Sequence, residues 1–289
     1  MEIQMSIFNG IDGIVDQHLK LASIHSRSGK PLCYRHKEAL LKMTESNLPN
    51  DGKALLTAMF GSMMATWGSN GCPGTNSDNG NWRRRVESRL GSGNSSSEVI
   101  LERSIAQLFE KDSEKNWSNQ VFIDSGLLGS RRAIDLAFSR CDCLEIIELK
   151  TDSQSGTPLS AAIQVLSYGL AHVFFRCFRT RLLRDHCSPE LLEFKHLHLR
   201  VLAPFKYYDE YNKEINGCHP WQWLKRFEQS INNGFAAFAD SFNEVDSKIV
   251  GFEFQSFPRS FIWDHSSPDT GALNDALAKR CSMSEAADL

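Results

Sequence analysis

Several features that would settle a function quickly are missing from this sequence. Its 289 residues carry 32 Lys and Arg against 35 Asp and Glu, a formal charge of −3. No global positive field marks a nucleic-acid binder, so any such contact must come from a local patch. Its eight cysteines include no CxxC pair and no zinc-finger spacing. Cys141-Asp142-Cys143, His186-Cys187 and Cys218-His219 lack a second pair at ligand spacing, so reduced thiols are expected rather than zinc or disulfides. GxSxG, GxxxxGK[ST] and HExxH do not occur, which removes the nucleophile-elbow, P-loop and zincin classes. The N-terminus has no basic n-region, and Asn9-Gly10 and Asp12-Gly13 break its apolar residues, so no signal peptide is expected. The longest apolar stretch, residues 161–175, contains Gln164 and His172 and reads as too short and too interrupted for a bilayer. A cytoplasmic protein without membrane contact is the expectation.

What is present is ordinary globular material, 41% hydrophobic and 23% charged, which argues against disorder, collagen and coiled coil. At about 150 residues per domain, the length suggests two domains. Residues 3–64 show helical spacing of apolar positions, with a turn at residues 48–52. Residues 68–97 read as loop and linker around the basic run Trp82-Arg83-Arg84-Arg85-Val86-Glu87-Ser88-Arg89. A boundary near residue 95 then separates a helical N-terminal region, 1–94, from a second domain, 95–289, whose core spans about 95–205 and whose extension spans 206–289. In that domain Ser95-Ser96-Ser97-Glu98 is a capping-box pattern opening a helix to Glu110. Strands are expected at 120–123, 132–138 and 144–149, with the first turn marked by Gly126, Gly129 and Ser130. A buried helix at 158–178 and a strand at 196–202 complete an αβββαβ order. Beyond it the expectation is a helix at 221–242 and a strand at 249–257, with a polar, weakly structured tail after Ser266.

Strand alternation supplies the chemistry. Glu148 and Lys150 stand two apart on one face, and Asp135 shares its face with the small Ala133 and Ala137 while Ile134, Leu136 and Phe138 take the other. If these strands are neighbours, Asp135 and Glu148 converge on one hard cation, because Mg²⁺ prefers carboxylate oxygens. Such a cation acidifies water and neutralises charge during phosphodiester hydrolysis, and Lys150 is a compact donor beside it.

Asp135 followed by Glu148-Leu149-Lys150, on the second and third strands of an αβββαβ order, resembles the PD-(D/E)XK nuclease superfamily. Gln164-Val165-Leu166-Ser167-Tyr168 is similar to the QxxxY motif of its exonuclease-type members. The resemblance covers residues 95–205, with Ile134 in place of the family's proline. It implies a restriction-endonuclease-like α/β core with a mixed central sheet flanked by helices, and a Mg²⁺-dependent deoxyribonuclease in which Mn²⁺ can substitute. Endonucleolytic cleavage is the expected mode. Asp135, Glu148, Lys150 and Gln164 are the implied catalytic set; Glu102, Asp135, Glu148 and the Leu149 carbonyl are the implied metal ligands. The helix glutamate is ambiguous between Glu98 and Glu102. Glu98 holds the N3 position of the capping box, so Glu102, on the side of Ile105 and Phe109, is preferred.

Plainer roles stand beside these. The three charged strand residues also suit a structural ion-pair network, and Gln164 and Tyr168 a satisfied core pair. The arginines at 83–89 and at 176, 179, 181 and 184 suit either a solvated face or a phosphate backbone. Trp221, Trp223, Phe227, Phe235 and Phe238 are spaced as a core-facing helix rather than as a stacking platform. The alternative function is the same fold used as a nucleic-acid-binding or scaffolding module without turnover. Residues 1–94 are expected to serve recognition of a target, a partner protein or a second copy of the chain.

Overall fold

The computed structural model of the chain describes residues 6–72, 81–91, 96–110, 116–123, 132–182, 189–214, 219–241 and 247–283. The turn at Gly126, Gly129 and Ser130, the linker stretches 73–80 and 92–95, Arg184, His186-Cys187 and Cys218 lie outside the described residues. In chain order the elements are α1 (Ile11–His18), α2 (Lys37–Leu40), α3 (Gly52–Ser69), α4 (Ser97–Phe109), β1 (Trp117–Ile123), β2 (Arg132–Arg140), β3 (Cys143–Leu149), α5 (Pro158–Cys177), α6 (Arg179–Leu182), β4 (His196–Ala203), α7 (Phe205–Asp209), α8 (Pro220–Ala239), β5 (Lys248–Ser256), α9 (Thr270–Ala278) and β6 (Cys281–Ser282).

Among the described residues the strands form one six-stranded mixed sheet, ordered β1-β2-β3-β4-β5-β6. The first three pair antiparallel, β3/β4 and β4/β5 parallel, and β5/β6 antiparallel. Physical reasons for this order are visible in the connections. Cys141 and Asp142 close the tight β2–β3 turn, whereas the parallel pairs need crossovers, which α5 and α8 provide. Helix α5 starts firmly because Thr157 accepts from Ser160 N–H, Ser160 returns a bond to Thr157 N–H, and Pro158 occupies the first turn.

Each face of the sheet is covered. On one, α1, α3, α5 and α8 pack a large apolar cluster in which Val15, Met59, Phe60, Phe174 and Phe227 join Ile146, Leu199 and Phe252 of the sheet. On the other, α4 and α9 place Leu101, Ile105, Leu273 and Leu277 against Leu136, Ile147, Leu149 and Leu202. Adjacent residues of β3 thus go to opposite sides, and Glu148 falls on the α5 side with Ile146.

Three expectations change. The boundary near residue 95 does not separate two cores, because α1 and α3 share one apolar cluster with α5 and α8. The tail after Ser266 is structured as far as residue 283: Asp269 caps α9 through Ala272 N–H, Leu273, Ala276 and Leu277 are buried, and β6 adds to the sheet. Residues 206–283 therefore complete the sheet rather than extend from it. Finally, α5 is by length and hydropathy long and apolar enough to cross a membrane, but here almost all of it is buried between the sheet and α3.

Candidate active site

The C-terminal end of β3 carries the site. Because β2 and β3 are adjacent and antiparallel, Asp135 lies beside the end of β3, and the Leu149 N–H donates to its Oδ2 at 2.8 Å. Glu148 is 1% exposed and Lys150 5%. Lys150 Nζ donates to Glu148 Oε1 at 2.8 Å and to Glu98 Oε2 at 3.1 Å. Glu98 reaches this position from the first turn of α4. One oxygen each from Glu98, Asp135 and Glu148 lies within 4.8 Å of the others.

The structure thus brings together Asp135, Glu148 and Lys150, and joins Glu98 to them in place of Glu102. Ser96, not Ser95, caps α4, accepting from Val99 N–H. Glu98 is then the second residue of the helix, with no capping bond among those of its side chain, and it turns to Lys150. Glu102, one turn further in, is 2% exposed and accepts from Asn119 Nδ2 and Gln120 Nε2, each at 2.5 Å. It therefore belongs to an amide network behind the acid group. Sequence reasoning passed over both amides, and one signal was within reach: polar residues inside the otherwise apolar β1 need buried partners. Gln120 sits at φ 50, a left-handed conformation in mid-strand where the pairing with β2 skips from Asn119–Leu136 to Val121–Ile134.

Electrostatics follow from crowding acids in a poorly solvated place. Burial raises Glu148 well above the usual carboxylate range, and the nearby Asp135 raises it further, against the pull of Lys150. Asp135, half-buried by surface yet densely surrounded, is raised by burial and lowered by Lys150 and the Leu149 N–H. Burial and Asp135 raise Glu98, which Lys150 opposes. For Lys150 burial acts downward, but Glu148, Asp135 and Glu98 outweigh it and hold the ammonium charged. Three carboxylates thus share one ammonium.

One atom tests whether these residues suit a cation. Glu148 Oε2 is fully buried and has no hydrogen-bond partner among the described residues. A buried acceptor left unmet costs about 1–3 kcal/mol. A divalent ion coordinated by this oxygen and by those of Asp135 and Glu98 would satisfy it and relieve the repulsion at once, so the donor set fits a hard cation. Leu149 contributes its N–H to Asp135, and its side chain is buried on the α4 face.

Gln164 Nε2 donates to the Tyr168 hydroxyl at 3.0 Å, and Gln164 lines the cavity of about 720 Å³ that also holds Glu98, Lys150, Asp152 and Ser160. The arginine runs are largely spent on the fold. Arg84 donates to Ser139 and lies over Phe194, while Arg85 pairs with Glu87 over Phe122. Arg176 donates to the Leu192 carbonyl and Arg179 pairs with Glu193. The aromatic residues of α8 are buried. No protein-family model, curated protein or solved structure matches this chain.

Proposed function

We propose that this protein is a nuclease that hydrolyses phosphodiester bonds, with DNA as substrate and Mg²⁺, or Mn²⁺ in its place, as cofactor. In this reading the segment from α4 to β4 is a restriction-endonuclease-like core of the PD-(D/E)XK kind. The observation that carries it is the orphaned, buried Glu148 Oε2 beside Asp135 and Glu98, with Lys150 bonded to the other oxygen of the same carboxylate. Buried carboxylate oxygens are usually met by a donor, and here the two neighbouring carboxylates make a cation the natural partner.

Glu98, Asp135 and Glu148 would hold the ion, and the resemblance adds the Leu149 carbonyl. When bound, such an ion acidifies a water molecule and offsets charge on the phosphoryl oxygens. The chain's own residues supply the rest. Lys150, kept charged by its acidic neighbours, is placed to orient the attacking water or to stabilise charge that develops in the transition state. The Leu149 N–H fixes one Asp135 oxygen and so the direction of the other. Gln164 lines the cavity beside Lys150, where a polar amide can steady the strand.

The test is cleavage of linear, circular and single-stranded DNA with Mg²⁺ or Mn²⁺ by the wild type, Asp135→Ala and Lys150→Ala, alongside a metal titration of the melting temperature. Cleavage by the wild type that both variants lose is the expected result, with the circular substrate reporting endonucleolytic cutting. No cleavage together with no metal-linked stabilisation sinks the nuclease and leaves a binding module without turnover.

A further inference from the structure

The cavity at the acid group shares Arg35 and Gln164 with a second cavity of about 370 Å³, which Asp12, Tyr34, Arg132, Ala133 and Tyr168 also line. The N-terminal region thus walls a space that opens beside the candidate active site. Its charges do not cancel. Asp12 accepts from Arg35 Nε at 3.1 Å and from its terminal nitrogen at 2.8 Å, and the Tyr34 hydroxyl donates to it at 2.6 Å. Asp12 is hydrogen-bonded to Arg35 and also lies within the field of Arg132, so among the described lining residues two arginines face one acid. The Arg132 guanidinium lies over the Phe8 ring at 4.5 Å and makes no hydrogen bond or ion pair among the described residues. A guanidinium presents five N–H donors in a planar fork that suits the oxygens of a phosphate.

Placement relates this cation to the acid group. Tyr168 packs edge-on against Phe8 at 6.2 Å and receives the Gln164 bond. Its hydroxyl is raised by burial and by Glu148 and Asp135, and lowered by Arg132, so it lies within electrostatic reach of both. A carboxylate-held cation and the Arg132 guanidinium, with the Gln164–Tyr168 pair between them, set two positive centres along connected space. A nucleic-acid strand carries one negative charge per nucleotide and matches that pattern.

We propose that Arg132 binds a phosphate group of the substrate strand adjacent to the one that is cut, and that the cavity of about 370 Å³ receives the adjoining nucleotide. The identity of the ligand as a nucleic-acid strand rests on the nuclease reading. The phosphate site itself needs only the pocket, and the two can fail separately.

Inorganic phosphate is the first probe, titrated into the full chain at low ionic strength without divalent ions and followed by thermal shift and calorimetry. The wild type is expected to bind it, Arg132→Gln about tenfold more weakly, and Arg132→Lys in between. Glutamine retains an apolar stem near Phe8, and the melting temperature without phosphate reports whether each variant folds. Absence of binding by the wild type, or equal binding by all three, overturns the proposal whether or not DNA is cut. The second probe is DNA with Mg²⁺. Arg132→Gln is expected to raise KM about tenfold with a smaller change in kcat and an unchanged metal-linked gain in melting temperature. An equal loss on circular and linear DNA assigns the site to an internal phosphodiester, and a loss confined to phosphorylated ends assigns it to a terminal phosphate. An unchanged KM on every substrate that the wild type cuts overturns the proposal. Arg132-dependent phosphate binding without any cleavage overturns only the nuclease reading.

Discussion

Glu102 shows how far a buried carboxylate departs from its solution behaviour. Burial, with Asp135 and Glu98 adding to it, raises its pKa from 4.5 to about 8, against hydrogen bonds from Asn119 and Gln120. Asn119 is fixed as a donor because its other bonds join it to Glu87 N–H and C=O, but the Gln120 amide can turn so that its oxygen accepts a hydrogen bond from the protonated carboxyl. Between those pH values the folded chain holds a proton that the unfolded chain has lost. Stability from this group is therefore full below about 4.5 and falls as pH rises to about 8, by up to about 1.4 kcal/mol per pH unit. Relative to Glu102→Gln, the wild type should lose ground in chemical denaturation from pH 5 to pH 8, and a constant difference would refute this account. Lys150 gives a second prediction. Lys150→Met strands Glu148 and should cost about 3–5 kcal/mol in urea unfolding, with much of it regained in the Glu148→Gln/Lys150→Met double variant. Glu98→Gln should abolish metal-linked stabilisation while Glu102→Gln retains most of it. The reverse order in a metal titration would return the ligand role to Glu102. The strand acids were legible in the sequence because alternation by two assigns faces without tertiary knowledge. The choice between Glu98 and Glu102 was not, since both share a helix face and a one-residue shift of the cap decides what Glu98 is free to do.

At the scale of elements, α3 and α8 approach closely where their backbones meet at glycines. A Cβ on Gly52 would lie 2.0 Å from the Ser230 carbonyl oxygen, and one on Gly234 2.4 Å from Lys53 N. These obstacles are backbone atoms, which cannot swing aside. Gly234→Ala should cost about 1–3 kcal/mol or more, read as a shift in urea midpoint, and a neutral result would show that the two helices can slide apart. The outer edge of β1 is covered in a comparable backbone manner. Trp82 N–H donates to the Phe122 carbonyl and Asn119 N–H to the Arg85 carbonyl, which explains the basic run as an edge cover as well as a charged surface. Sequence patterns located β2, β3, α5 and β4 within one or two residues, because apolar alternation and a proline at a helix start are local signals. They passed over α9, whose three core residues Leu273, Ala276 and Leu277 stand among polar neighbours.

For the whole molecule, the shared cluster of α1, α3, α5 and α8 predicts that a chain beginning at residue 95 does not fold independently. Without α3, Phe174 and Phe238 lose the Phe60 ring that packs on both. Such a fragment should be insoluble or bind a hydrophobic dye with broad unfolding, and a soluble, cooperatively melting fragment would restore the two-domain division.

By itself the sequence determined the alternation of strands and helices and the residue types at the end of β3, since periodicity and capping act over a few residues. Only the tertiary structure decided which glutamate meets Asp135 and Glu148, that residues 6–72 belong to the same core, and that Arg132 lines the cavity beside them with no hydrogen bond from its guanidinium among the described residues. Those facts depend on contacts between residues far apart in the chain, where packing, desolvation and the sum of nearby charges outweigh local preference.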